Sequence, residues 1–432
     1  MTQHYSPRGN FSNLLFRFIS GGQWAEPITA TVRHNLRWFW FDGVFARASE
    51  VIVVSFLPLF MLALGANRAQ IGLISGLSNL SAAILLLPGA ALVERWGQRK
   101  WLVVLSGGGI ARVMLLLLAL LPFALGGQVA IYLAIALAVL RSAFNYLSLP
   151  AWVALTADMV PLQWRGRYLS FRNLSMEIAG MFSTFVIGYL ITRVGGLSGY
   201  QLAMGIAFAV GIAAAFCFSH LDEPPASKPA PKTTQGARQP ILQEIASHRN
   251  FVAFCVTAAV WNLSLNIAGP FFSVYLVEGL GGDASVVGAL AVVASLSALP
   301  GQRLFGRWVD RWKPYRVQLI TGLLIPALPA FWAIVRSPWH IVPINLASGF
   351  LWAGYDLAAF NMLLVLSPEE RRARYSAVYQ IVITLALAVG GALGGVIATY
   401  WGYIPLFVLS GLGRLIASLF FMRFVRPPLE AS

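Results

Sequence analysis

Acids and arginines that interrupt long apolar stretches are the groups in this 432-residue sequence with the most chemistry to offer. Glu50, Arg141 and Asp356 each stand in a run with few other charges, and so do Arg112 and Arg414. A charge carried to the middle of a bilayer costs about 3 kcal/mol or more, so such a group faces a cavity, a partner or a pathway. Glu50 falls roughly 13 Å into a run that begins near Phe41, at the helical rise per residue, which puts it near a membrane midplane. Desolvation there favours the neutral acid unless a cation stands close, which suits Glu50 to taking up and releasing a coupled proton. The alternative is a standing ion pair with Arg112, with Arg141, or with Arg47 one helical turn away.

These groups need helices to carry them, and the composition supplies helices of one kind. Hydrophobic residues make up 58% of the chain and charged ones only 11%, too few to clothe a soluble domain. Apolar stretches long enough for a bilayer core recur along the sequence. They run from Phe41 to Leu64, Ala69 to Val93, Trp101 to Phe123, Val129 to Leu155, Leu174 to Val194 and Tyr200 to Ser219. After a polar gap they resume from Phe251 to Val277, Ala284 to Trp308, Val317 to Val335, Trp339 to Leu366, Tyr375 to Tyr400 and Ile404 to Phe424. The expectation is an all-α integral membrane protein with twelve transmembrane helices. It divides into a tail (1–40), a first half (41–219), a linker (220–250), a second half (251–426) and a short tail (427–432).

The formal charge of +15 is spread in small groups between apolar stretches, not gathered on one face, so nucleic acid is not the expected partner. The basic groups alternate sides. Arg33 and Arg37, Arg95 to Lys100, Arg165 to Arg172, Arg307 to Arg316, Arg371 to Arg374, and Arg423 with Arg426 share one side, against Arg68, Arg193 and Arg336 on the other. Basic loops stay in the cytoplasm, so both termini and the linker are expected there, in a cell-membrane protein. The N-terminal stretch does not read as a cleaved signal peptide, and Phe11 to Ile19 reads as part of a cytosolic tail, with a short interfacial helix as the alternative. The Pro-rich stretch from Leu221 to Gln239 reads as a flexible linker, followed by an amphipathic helix or helix extension around Ile241, Leu242 and Ile245. Cys217 and Cys255 lie in apolar segments and are expected to be small buried hydrophobes, with neither disulfide nor metal site.

Two echoes tie the halves together. Glu94, Arg95 and Trp96 return as Asp310, Arg311 and Trp312 half a chain later. Pro161, Arg165, Gly166, Arg167 and Tyr168 return as Pro368, Arg372, Ala373, Arg374 and Tyr375. Matched loops of this kind indicate duplication.

A six-plus-six arrangement with basic loops after spans two and eight resembles the major facilitator superfamily over nearly the whole chain. The family's loop signature is carried by Ala90, Glu94, Arg95, Gly97, Arg99 and Lys100, with alanine in place of the leading glycine. Its second copy is Gly306, Asp310, Arg311 and Arg316, with Lys313 where the second glycine would fall. The resemblance implies two pseudo-symmetric six-helix bundles and a conformational latch formed by these loops. Small residues let helices approach, and an acid with an arginine makes charge-assisted bonds that one state holds and another releases.

In that family spans one, four, seven and ten line the central cavity. The resemblance therefore makes Arg141 and Asp356 substrate-site candidates, together with Asn145 and Tyr146, Asn262 and Asn266, and Trp352 and Tyr355. Such a cavity suits an amphipathic organic solute, although each asparagine taken singly fits an interhelical bond equally well. Arg112 and Arg414 lie on spans that are peripheral in the family and are read as partners of interior carboxylates or carbonyls, one of them answered by Glu177 unless that acid reaches water. The glycines of spans two and eleven, Gly72, Gly76, Gly390, Gly391, Gly394 and Gly395, are expected to pack helices closely.

The function expected is secondary active transport of a small organic solute by a monomer without cofactors. Proton-coupled export of amphipathic compounds is favoured by Arg141, which resembles the arginine of an exporter motif. Sugar or metabolite uptake, or a non-transporting sensor on the same scaffold, are the alternatives. An enzyme is not supported: no Gly-Lys dipeptide for a nucleotide loop occurs, and His4, His34, His220, His248 and His340 form no zinc-protease pair.

Overall fold

The computed structural model describes residues 29–223, 241–368 and 371–427. Residues 1–28 of the expected N-terminal tail, most of the Pro-rich linker and the last five residues fall outside them, while the rest of that tail, from Ala30, is already helix. Among the described residues the chain is helical throughout: α1 (Ala30–Ala63), α2 (Arg68–Trp96), α3 (Arg99–Ala124), α4 (Gly127–Met159), α5 (Leu162–Val194), α6 (Gly196–Ser219) and α7 (Arg249–Glu278). A continuous apolar stretch follows, Ala284–Ile334, of 51 residues. It is two helices, because Lys313 takes φ 68 and ψ 153 and Pro314 follows it, which ends one helix and starts another. We label residues 284–312 α8 and residues 314–334 α9; α10 (Ile341–Leu366), α11 (Arg372–Tyr400) and α12 (Tyr403–Phe424) complete twelve.

Several helices begin well before their apolar cores: α1 starts at Ala30 and α5 at Leu162, so helices overshoot the hydrocarbon on the basic side. A helix satisfies its own backbone polar groups, which lets it continue from lipid into water without a break. Large side chains such as Phe123, Phe182 and Ile334 are exposed, as a lipid-facing surface requires. α7 is interrupted at Gly269 and Pro270, and α3 passes through π-helical turns over Val103–Ile110 directly before Arg112. Breaks of both kinds recur where helices serve function.

The two halves repeat one packing scheme. α1 packs on α5 and α6 as α7 packs on α11 and α12; α2 packs on α4 as α8 packs on α10; α3 packs on α6 as α9 packs on α12. The second sequence echo does matching work in each half. Arg165 donates to Ala157 O at the end of α4 (2.6 Å), and Arg372 donates to Leu364 O at the end of α10 (3.5 Å). The buried Tyr168 hydroxyl donates to Leu36 O in α1, while the Tyr375 hydroxyl bonds Glu244 and His248 beside the short helix Ile241–Ser247, just before α7.

The halves meet away from the basic end. Gly391 and Gly395 of α11 face Gly72 and Gly76 of α2, while Gly390 and Gly394, on the other side of α11, lie against the α7 backbone. α5 meets α8 through Gly188 and Gly288, and the Ser285 amide donates to Thr192 Oγ1 (3.1 Å).

Candidate functional site

Helix α1 carries Glu50 and α4 carries Arg141, and the carboxylate and the guanidinium meet at the wall of a cavity. Arg141 donates directly to Glu50, and Arg112 from α3 lies 4.0 Å from the same carboxylate. Arg112 is fixed by Ser49 Oγ (3.0 Å), whose own hydroxyl donates to Ala207 O on α6 (2.6 Å). A cation does therefore stand close to Glu50, and the ion pair weighed as the alternative is the one formed in this conformation. The pair is asymmetric: Arg141 keeps 8% of its side chain exposed, Glu50 keeps 38%, so the carboxylate is the member that water reaches. Arg47 does not share in it; it pairs with Glu177 on α5 at 2.8 Å, which also answers where Glu177 goes.

Glu50, Arg141, Asn145, Tyr146 and Asn266 line one cavity of about 580 Å3. Among these Asn266 has a different job from ligand contact, because its amide donates to Ser75 Oγ on α2 (2.9 Å) and to Leu387 O on α11 (2.6 Å). It ties the halves together above the cavity, the interhelical bond that an asparagine in a membrane interior favours. A second cavity of about 420 Å3 lies in the other half, where Trp352 and Arg414 are part of its wall. Val54 and Gly269 belong to the walls of both, so the two spaces adjoin at the interface.

Three sequence candidates line neither space. The Tyr355 ring stacks on Trp261 at 4.3 Å between centroids and backs Trp352. Asn262 donates to Ala258 O of its own helix, which settles its amide locally. Asp356 is exposed and makes no hydrogen bond or ion pair among the described residues.

The signature loops are separated in this conformation. Arg95, Asp310 and Arg311 are exposed and make no ion pair among the described residues. Gly306 has open space where a side chain would begin. The side chain of Glu94 lies outside the described residues. Arg99 instead ties its own half together, pairing with Asp158 at the end of α4 (2.5 Å) and with Glu223 after α6 (3.2 Å), and the Lys100 amide also donates to Glu223 (3.3 Å). Ala90 is half-buried, and the close approach next to it belongs to Gly89, against Leu147 O of α4. Gly97 takes φ 63 and ψ -9 to end α2, and Lys313, at the equivalent place after α8, also takes a positive φ, 68, but with ψ 153 and a side chain present.

Sequence reasoning missed the closure at the far end. Arg68 at the start of α2 pairs with Glu278 at the end of α7 (3.2 Å), donates to Ala398 O on α11 (3.2 Å) and lies over the Tyr403 ring at 4.2 Å. The Tyr403 hydroxyl also donates to Glu278. The signal was present, since Arg68 is one of few arginines on the arginine-poor side. A second miss is Arg172, buried in α5 against Asp42 (3.3 Å) and Phe39 O (3.0 Å); a loop arginine gives no sign in sequence that its loop is helix.

Among the described residues, the polar connections between the halves from Arg68, Asn266 and Ser285 lie from the cavity toward the end away from the basic loops. The space between the halves is closed at that end.

The sequence profile described as the Major Facilitator Superfamily matches residues 39–267 and 254–432, one match per half. The chain belongs to the Major Facilitator Superfamily. It is a multi-pass membrane transporter of that superfamily and not an enzyme. It is 24% identical over 400 residues to the multi-drug resistance efflux pump PmrA of Streptococcus pneumoniae, covering 90% of this chain and 95% of that one. Over 190 residues it is 28% identical to a putative sugar efflux transporter of Deinococcus radiodurans, covering 41% and 47% of the two chains. Among solved structures, a bacterial homologue of the human lysosomal transporter Spinster, inward-facing and occupied, superposes with a TM-score of 0.71 at 15% identity, covering 92% of this chain and 97% of that one. That likeness is one of fold.

Proposed function

We propose that this transporter is a secondary active carrier that exports amphipathic organic solutes in exchange for protons, as a monomer, by alternating access between its two halves. The observation that carries the reading is the Glu50–Arg141 pair in a cavity closed at one end, with the carboxylate open to water. A proton arriving at Glu50 neutralises it and releases Arg141; loss of the proton restores the pair. One charge is thereby exchanged for another at the place where a solute would sit.

The sorting of basic residues assigns the basic end to the cytoplasm, with both termini and the linker on that side. The halves are then residues 41–219 and 251–426, joined by 220–250, and the conformer is closed to the outside. In the opposite state the basic ends come together, and Glu94 and Arg95 of one loop with Asp310 and Arg311 of the other become available to hold it shut. Export, not uptake, is supported by the likeness to efflux proteins along most of the chain.

The purified protein in proteoliposomes tests this. An imposed proton gradient is expected to drive accumulation of a lipophilic drug, from a panel that also holds sugars and organic acids. Flux of any panel member without dependence on the gradient would sink the coupling, and flux of sugars alone would replace the solute class.

A further inference from the structure

The second cavity contains a charge without a counter-charge. Arg414 on α12 is 2% exposed, and its Nη2 donates to Ser410 Oγ at 3.0 Å. Ser410 cannot neutralise it, and its own hydroxyl proton is already given to Ser264 O at 2.6 Å. The Nε group of Arg414 is buried with no partner, and no carboxylate lies within ion-pair distance among the described residues. Asp356, one residue beyond the Tyr355 that backs this cavity, is not turned to that use. Arg414, read from sequence as the partner of an interior carboxylate or carbonyl, is met among the described residues by a serine hydroxyl instead.

The contrast with the other half decides the meaning. There, both Arg112 and Arg141 have Glu50 within 4.0 Å. A guanidinium at bilayer depth costs about 3 kcal/mol or more, and an anion that reaches it recovers part of that cost by paired hydrogen bonds. The wall around Arg414 includes Phe272, Trp332 and Trp352, which offer flat apolar surface to the rest of a ligand. The cavity, about 420 Å3, falls in the range that encloses a small organic molecule.

We propose that the cavity at Arg414 is a binding subsite for organic anions, with the carboxylate of an aromatic or aliphatic acid on the guanidinium and its apolar body against Trp352 and Trp332. This names a substrate class for the carrier and rests on that reading for its transport meaning, though not for binding. The ligand would lie beside the proton site without using it, because Glu50 and Arg141 belong to the adjoining cavity.

Two probes of one shape and opposite charge test it, 1-naphthylacetate and 1-naphthylmethyltrimethylammonium, titrated calorimetrically into the purified full-length protein. The carboxylate is expected to bind about tenfold or more tightly than the cation, and Arg414→Gln to erase that preference. Arg414→Lys, which keeps the charge but loses the fork of donors, is expected to retain part of it. If Arg414→Gln does not fold, the wild-type preference and the lysine variant decide. Equal or tighter binding of the cation, a preference untouched by either substitution, or binding of neither probe by folded wild type overturns the proposal. Charge-selective binding without flux in proteoliposomes keeps this subsite and rejects the carrier reading; flux without charge selectivity does the reverse.

Discussion

The two halves of this transporter share one packing scheme and differ in how they treat charge. In the first half Arg141 pairs with Glu50 at the cavity wall and Arg112 stands 4.0 Å from the same acid, whose carboxylate is left open to water. In the second half Arg414 answers only to a serine, and aromatic rings take the room that acids and bases occupy opposite. Duplication supplies two similar scaffolds; the side chains then give one half a titratable pair and the other an uncompensated cation within an apolar wall. A carrier built this way can hold proton and solute in adjoining spaces, and the asymmetry can be broken one piece at a time.

The largest effect is expected from Glu50→Gln. Gradient-driven transport should fall by about a hundredfold, roughly 2.7 kcal/mol, with exchange of solute down its own gradient retained. Proteoliposome flux with and without the gradient checks this, and unchanged gradient dependence would remove Glu50 from the coupling. Next comes the pair itself. A double-mutant cycle with Glu50→Gln and Arg141→Gln, read by thermal unfolding, should give a coupling of about 1–3 kcal/mol, the double variant being less damaged than the single losses predict together. Additive losses would mean that the two residues act separately.

Lys313→Gly tests the break between α8 and α9. Lys313 holds φ 68 and ψ 153, a region open to glycine and strained for other residues, where its counterpart is Gly97. The substitution should stabilise the protein by about 1 kcal/mol, seen as a raised midpoint of unfolding. A lower midpoint would show that the lysine side chain is worth more than the strain. Smaller still is the closure at the far end: Arg68 and Glu278 are about a third exposed, so Arg68→Ala should shift the population away from this conformer by less than about 1 kcal/mol. Spin-label distances across α2 and α7 would register it, and no change would assign closure to the glycine contacts and the Asn266 and Ser285 bonds.

The smallest is a pH effect at the short helix before α7. The hydrogen bond from Arg371 holds the Glu244 carboxyl below the ordinary carboxylate range. The depressed folded value means that docking of this helix is fully supported above the unfolded carboxyl value and is lost as pH falls through the folded one. Hydrogen exchange over Ile241–Ser247 should rise only at acidic pH; a rise near neutrality would show that Glu244 does not govern the docking.

Much of this protein could be read without coordinates. Twelve spans, the break before Arg249, the basic alternation and the two echoes were all legible, because membrane insertion writes helix length and sidedness directly into composition. The Glu50–Arg141 pair was legible as one of several partners, since depth can be counted along a helix but azimuth cannot. Asn266 read equally well as a ligand contact or an interhelical tie and makes the tie from the cavity wall, and Arg68 looked like a topological charge and closes the far end. Neither assignment is available to a one-dimensional reading, because each depends on which helix from the other half stands opposite.

Sequence alone determined the family, the number of helices and the duplicated design. The hydrophobic thickness of a bilayer and the need to satisfy backbone polar groups leave a chain of this composition few other choices. Only the tertiary structure decided which buried charges are matched and which is left alone. Electrostatic pairing falls off over a few ångströms, and the chain brings Glu50 to Arg141, and no acid among the described residues to Arg414, through helix packing that separations in sequence do not specify.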